Sequence, residues 1–436
     1  MEKMRTNAAG IDIGAKKVFV ALENQNVKSF LTFTEDFERL RDYLLDNKVE
    51  TVAMEATGVY WGILYEILSE AGIDVWLVDG RETKQVPGRK TDVKDCQWIQ
   101  QLHSLGLLNR CFVAEGDIKT LKYFVRLRED HIRSSSMHVN HLQKALTEMN
   151  IRLKEVISQI HGKSGIRIIE SILAGERRKE VLLNMCDVKI KKNKGEEVLK
   201  SLNGKYTITG LFALQQAYDG YQFYQNQIIQ CDKQIEKVMK QIGGNSKDKD
   251  LKEKRKRIRH HKPDVSDLGA NLVSAFEGKD ATVIPGITDY TWMQLLAETG
   301  TDLLRWPTEK HFTSWLGLAP GQYWSGKTKR NRNRKGHPFA GQIFRQIAQS
   351  IIISKKIALG SFGRKIRSRK GPGKAIKAVA RKLAVLYWRV MVKGLDYTEN
   401  GVKEYEERLL IQKQKTVQRL ALELDFQLID NQGVII

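Results

Sequence analysis

Residues 8–23 read AAGIDIGAKKVFVALE, an apolar run that passes into alternating apolar and polar side chains. A period of two marks a strand with one buried face, and KSFLTFT at 28–34 repeats it, so a strand pair joined near Asn24–Asn26 is predicted. Working outward, DFERLRDYLLD (36–46) reads as a helix and TVAMEA (51–56) as a buried strand. VYWGILYEILSEAG (59–72) reads as a helix closed by Gly72, and IDVWLVD (73–79) as another strand. Strands alternating with helices imply an α/β sheet covered on both faces.

Within that frame three acidic positions stand where functional groups of α/β folds collect, at strand ends and the helix starts beside them. Asp12 interrupts an apolar strand, where an ionised carboxylate needs a compensating charge. Glu55 ends TVAMEA. In KTDVKD (90–95), Asp92 and Asp95 are three residues apart; if TDVKDCQWIQQLHSL is helical they share a face, with Thr91 as a cap. Each acid alone reads as a solvated charge. Taken together, four converging carboxylates would repel unless cations sat among them, and two Mg²⁺ ions about 4 Å apart, or Mn²⁺ in their place, relieve that repulsion and activate phosphodiester chemistry.

The middle of the chain is helical by pattern. From Ile118 to Met149, Ile118, Val125, Ile132, Val139 and Leu146 recur every seven residues, with Arg128 and Ser135 interrupting the companion row. A second seam runs through Leu214, Ala217, Tyr221, Tyr224, Ile228, Cys231, Ile235, Val238 and Ile242. An intramolecular hairpin and a self-association arm both satisfy such seams. GGNSKDKDLKEKRKRIRHHKPDV (243–265) is almost free of apolar residues and reads as a mobile charged linker.

Charge narrows the partner. A formal net charge of +22 points to a polyanion, and nucleic acid leads. Between Glu309 and Asp396 there is no acid at all, against 21 Lys and Arg in residues 310–395. Four scattered cysteines exclude a zinc knuckle or disulfide framework, and no apolar run suits a signal peptide or membrane span. A cytoplasmic, nucleoid-associated protein without a membrane partner is expected.

The basic third opens with VIPGITDYTWMQLLAETG (283–300), whose Pro285–Gly286 turn could present backbone N–H groups to a phosphate or simply cap a helix. In HFTSWLGLAPGQYWSGKTKRNRNRKGHP (311–338), Ser325 precedes Lys327, Lys329, Arg330, Arg332, Arg334 and Lys335. Spacing alone makes SG before a basic run a turn; a serine attacking phosphorus also needs cations to hold the phosphoryl oxygens, which this run supplies. GSFGRKIRSRKGPGKAIKAVARKLAVLYWRVMV (360–392) reads as a basic loop and then an amphipathic helix, with Arg364, Lys365, Arg367, Arg369 and Lys370 on backbone phosphates.

The order GIDIG, VAMEATG, KTDVKDCQWIQQL resembles the DEDD, RuvC-like nuclease domain of the insertion-sequence-110 transposases, which are bridge-RNA-guided recombinases. The resemblance extends through GKSGIRIIESILAGER (162–177), LFALQQAYDGYQFYQNQIIQCDKQI (211–235) and the GLAP…SGK segment. It implies that the family's four acids fall on Asp12, Glu55, Asp92 and Asp95, and its nucleophilic serine on Ser325. It further implies that the metals and the serine, drawn from different protomers, act on one strand and leave a 5′-phosphoserine linkage.

The fold expected is therefore an α/β RNase H/RuvC-like domain (1–115), an α-helical coiled-coil insertion (116–242), a charged linker (243–268), a mainly α-helical basic serine domain (269–400) and a tail (401–436). The implied function is Mg²⁺-dependent, RNA-guided strand exchange between donor and target DNA by a homo-oligomer, a dimer of dimers, using a structured noncoding guide RNA. The residues alone support less, a metal-dependent phosphodiester-cleaving enzyme. Two other readings stand beside it: a Holliday-junction resolvase using only the four carboxylates and water, and a noncatalytic RNA-binding scaffold.

Overall fold

The computed structural model describes residues 3–56, 58–83, 92–244, 255–320, 322–325, 328–331, 338–394 and 401–428. The chain divides into two compact units, Met1–Val113 and Ala114–Ile436.

The first unit is a five-stranded mixed sheet. Its elements are β1 (Ala8–Ile13), β2 (Lys17–Ala21), β3 (Lys28–Leu31), α1 (Thr34–Asp46), β4 (Thr51–Glu55), α2 (Trp61–Glu70), β5 (Asp74–Val78), α3 (Gly80–Thr83) and α4 (Asp92–Ser104). The spatial order is β3-β2-β1-β4-β5, antiparallel from β1 to β3 and parallel from β1 through β4 to β5. The stretch at 8–23 is two strands rather than one. The chain reverses where Gly14 N–H donates to Lys17 O, and Asn24, at φ 57°, makes the next turn. Ile11, Ile13, Val52 and Met54 face the core shared with α1 and α2, whereas Ala53 and Val78 face Ile99 and Leu102 of α4. Both faces are thus covered, as a mixed α/β reading requires.

Among its described residues the second unit is helical apart from one hairpin. Two long helices, α5 (Gly116–Glu148) and α10 (Ile208–Gly243), pack along each other. Between them in sequence lie α6 (Leu153–Val156), α7 (Lys163–Leu173), α8 (Lys179–Asn184) and α9 (Val188–Ser201), which share a core with Leu142, Leu146, Leu214 and Ala217. Then come α11 (Leu268–Ala275), α12 (Asp289–Thr299), α13 (Glu309–Trp315), the strands β6 (Gln322–Ser325) and β7 (Thr328–Asn331), α14 (Phe339–Ile353), α15 (Ala358–Lys370), α16 (Pro372–Lys393) and α17 (Gly401–Glu423). Leu121, Val125, Ile235 and Met239 enter the core of these later helices, so the long pair is rooted in the C-terminal part. No helix among the described residues is long and apolar enough to cross a membrane.

The two polar interruptions of the first seam turn out to be paired. Arg128, 1 % exposed, donates from Nε to Asp232 Oδ1 at 2.6 Å, and Ser135 Oγ accepts from Gln225 Nε2 at 2.8 Å. Arg128 also donates to Tyr290 Oη at 3.0 Å and His261 O at 3.1 Å, and Asp264 N–H donates to Asp232. One buried ion pair therefore joins both long helices, α12 and the segment before α11. Removing one partner leaves an uncompensated buried charge, so Asp232→Ala is expected to cost about 3–5 kcal/mol. Urea unfolding checks this, and the double change Arg128→Met, Asp232→Leu is expected to recover most of the loss.

Of the charged stretch expected to be a mobile linker, residues 245–254 lie outside the described residues, and the part that follows is anchored at Arg255, Lys256, His261 and Asp264. Arg255 donates to Asp280 and Thr282 at 2.8 Å, and Lys256 Nζ to Ile284 O at 2.7 Å. The low apolar content hid this because the anchors are ionic and carbonyl contacts rather than burial. The segment read as a basic loop is α15, a second correction. A Cβ on Gly360 would meet Ile351 O at 2.5 Å and one on Gly363 would meet Ile352 Cγ1 at 2.6 Å, so these glycines serve close helix packing rather than turns.

Candidate active site

The site is built at the carboxyl ends of β1 and β4. Their parallel register pairs Ile11 with Met54, and one residue further on stand Asp12 and Glu55. Both are on the α4 face, because they alternate with the core-facing Ile11 and Met54. Helix α4 is clamped over that face. A Cβ on Gly10 would lie 2.3 Å from both Cys96 O and Gln100 N, so only glycine lets the helix approach this closely.

Polar bonds set where along the sheet α4 sits. Gln100 Nε2 donates to Ala8 O at 3.2 Å and Ser104 Oγ at 3.0 Å. The fully buried His103 places Nε2 2.9 Å from Thr51 Oγ1. Burial, then the nearby Arg5, pushes the imidazole down to about 4, so it is neutral at physiological pH. With its last turn fixed against the starts of β1 and β4, the helix presents its first turn, Asp92 and Asp95, to the ends of those strands.

The four acids feel one another electrostatically. The Asp12 carboxyl is pushed up from 3.8 to about 6, by burial first and then by Asp92, Asp95 and Glu55. Burial, and next Asp12, pushes the neighbouring Cys96 thiol up to about 12, which leaves it inert as a nucleophile. Glu55 is turned toward α3: Thr83 Oγ1 donates to Oε2 at 2.9 Å, and a Cβ on Gly80 would fall 2.2 Å from Oε1. Trp98 of α4 donates to Thr83 O at 3.1 Å, linking the helix to Glu55's partner.

Among the described residues no three His, Cys, Asp or Glu side chains are grouped closely enough to hold a metal ion as they stand. The donor set is of the kind that suits a hard divalent ion: four carboxylate groups, one of them driven toward its neutral form by burial first and then by the other three. The sequence missed the supporting groups Gly10, Gly80, Thr83, Gln100 and His103. The glycines at strand and helix boundaries were the available signal.

The serine region is reached through α13. The backbone of Ser325 closes β6 opposite Thr328 of β7, which also carries Lys329 and Arg330. Lys327, Arg332, Arg334 and Lys335 lie outside the described residues, as does Thr91. The Pro285–Gly286 turn is a helix-capping device: Gly286 has φ 80°, and Thr288 and Thr291 form a capping box at the start of α12. Arg364 is spent inside the fold, donating to Ile352 O at 3.0 Å and to Ser354 O, and so corrects its assignment as a phosphate contact. Arg367, Arg369 and Lys370 are exposed on α15.

Comparison with known families decides the identity. Residues 9–151 match a family model described as a transposase, of the DEDD type of IS110, and residues 280–361 match the model described as transposase IS116/IS110/IS902 family. The chain belongs to the IS110 family of transposases. This transposase is thus a DNA-cleaving and strand-transferring enzyme, and DEDD domains of its kind use divalent metal ions. No curated protein matches the transposase significantly. The first match spans β1 to α5, and the second runs from before α12 to the first turn of α15.

Proposed function

We propose that the transposase moves DNA by strand cleavage and rejoining at a composite site, with Asp12, Glu55, Asp92 and Asp95 holding Mg²⁺ and Ser325 as the nucleophile. The observation that carries this reading is the Asp12 carboxyl, pushed up by burial first and then by three other acids of β4 and α4. When bound, the divalent ions neutralise the acids and draw charge from the phosphodiester oxygens.

The chain's own groups do the positioning. Gln100 and His103 hold α4 in register, and Thr83 holds Glu55 ready at the strand end. The Ser325 hydroxyl gives up its proton as Oγ bonds to phosphorus, and the bond from phosphorus to the 3′ oxygen breaks. That oxygen takes a proton and leaves as a 3′-OH. The 5′-phosphoserine conserves the bond energy for rejoining to a second DNA. Lys329 and Arg330, on the strand paired with Ser325, supply positive charge for the phosphoryl oxygens.

Serine and carboxylates from different protomers of a dimer of dimers would complete one site, in a cytoplasmic, nucleoid-associated complex. A structured noncoding RNA of the element would select donor and target. Sequencing the nucleic acid that copurifies after expression with the element's flanks tests guidance: one discrete structured RNA is expected. Recovery of nothing but a random sample of cellular RNA would refute it.

A further inference from the structure

A strongly basic groove of about 1170 Å³ lies between α13, α15 and α16 of the second unit. Its walls carry Arg369, Lys370, Lys374, Lys377, Arg381 and Lys382. The spacing 374, 377, 381 follows the helical repeat, so these cations form a stripe along one face of α16, with Arg369 and Lys370 beside it at the end of α15. The groove's acid, Glu309, is already paired with Arg389 Nη2 at 2.7 Å. Among the described residues Lys374, Lys377 and Arg381 have no acidic partner, and burial followed by Arg345 and Arg381 holds the Lys377 amine below its ordinary value.

The floor has the opposite character. Leu318, Leu359, Phe362, Val385 and Leu386 line it, and Lys382 Nζ stands 4.1 Å over the Phe362 ring. A duplex presents phosphates outward and keeps its bases stacked inside, so it would satisfy the walls and leave this floor wet. An unpaired strand offers both surfaces, phosphates for the cations and base faces for the apolar floor. The volume exceeds the roughly 300–1,000 Å³ typical of small-ligand pockets, as a polymer segment requires.

We infer that this groove binds an unpaired nucleic-acid strand, phosphates along the α16 stripe and bases on the partly exposed Leu359–Phe362–Leu386 floor. Leu318 and Pro320 of the groove wall shortly precede β6 in the sequence, so the groove and the strand that closes at Ser325 are neighbours along the chain. The inference rests on the transposase reading and adds to it the strandedness of what the C-terminal part grips.

Fluorescence anisotropy with the full chain tests it, using a labelled oligothymidylate and oligouridylate of about 12 nucleotides and a duplex of about 20 base pairs, each over a series of KCl concentrations. The triple change Lys374→Ala, Lys377→Ala, Arg381→Ala is expected to weaken single-strand binding at least about tenfold and to reduce the salt slope by about 2, at roughly 0.7 per phosphate. Duplex binding is expected to change less than about twofold, since other cations of the basic third remain. Phe362→Leu is expected to weaken single-strand binding about three- to tenfold with the slope unchanged, because it removes stacking and no charge. Photocrosslinking a thio-substituted strand to the unaltered protein, and mapping the adduct to α15 and α16, reads the same contact without a variant. A preference for the thymidylate or the uridylate supports the inference and says whether the strand is DNA or RNA. Equal losses on duplex and single strands, or crosslinks confined to other helices, overturn it. Absence of binding to all three probes would instead count against the nucleic-acid reading of the whole chain.

Discussion

Asp12→Asn is expected to abolish strand cleavage and, at the same time, to make the ion-free protein more stable. The first effect follows from losing a charged group at the reacting phosphate, where one such group is worth on the order of 10²–10³ in rate and a shared metal ligand more. The second follows from linkage. Asp12 in the folded chain titrates near 6 against 3.8 ordinarily, so the folded state holds the extra proton between those values. Its contribution to stability is complete below about pH 4 and is lost as pH rises through 6. The full shift corresponds to about 3 kcal/mol, and solvent still reaching the group reduces this to about 1–2 kcal/mol. Asparagine removes the penalty, so the ion-free variant is expected to melt about 3–6 °C higher at pH 7.5 and no higher at pH 4. Thermal melts at the two pH values check this. A noncatalytic scaffold predicts instead that Asp12→Asn leaves every activity unchanged.

Ser325→Ala carries the second large effect. If the serine is the nucleophile, a cleavage reaction on the element's end DNA gives a protein–DNA adduct that survives denaturation, and the alanine variant gives none, a fall on the order of 10⁴-fold or more. A resolvase using the four acids and water would keep cleaving and would leave free 5′-phosphate ends in both proteins. Denaturing gels with DNA labelled on either side of the break separate the two outcomes.

Much of this architecture was readable from residue pattern. The alternation at 8–23 and 51–56 located β1 and β4, and the break in apolar character at Asp12 marked a carboxylate that had to be explained. The seams of α5 and α10 were readable for the same reason, since burial repeats with the helical period. What escaped was close approach. Gly10 and Gly80 look like any glycine until α4 and Glu55 are placed against them. Gly360 and Gly363 suggested a loop because a glycine between packed helices has the same letter as one in a turn. Arg364 joined a row of basic residues in sequence, yet its guanidinium caps carbonyls at the end of α14. The cations of α16 carried no signal of their own within an amphipathic helix, because the groove they line needs α13 and α15 to exist.

That the four acids share one divalent-ion site is the claim on which the chemistry depends, and calorimetric titration of Mg²⁺ or Mn²⁺ into the full chain measures it directly. Saturable binding is expected in the unaltered protein, with a rise in melting temperature at pH 7.5, and both are expected to vanish in Asp12→Asn and in Asp95→Asn. Ion binding and thermal shift that survive unaltered in both variants would contradict the account.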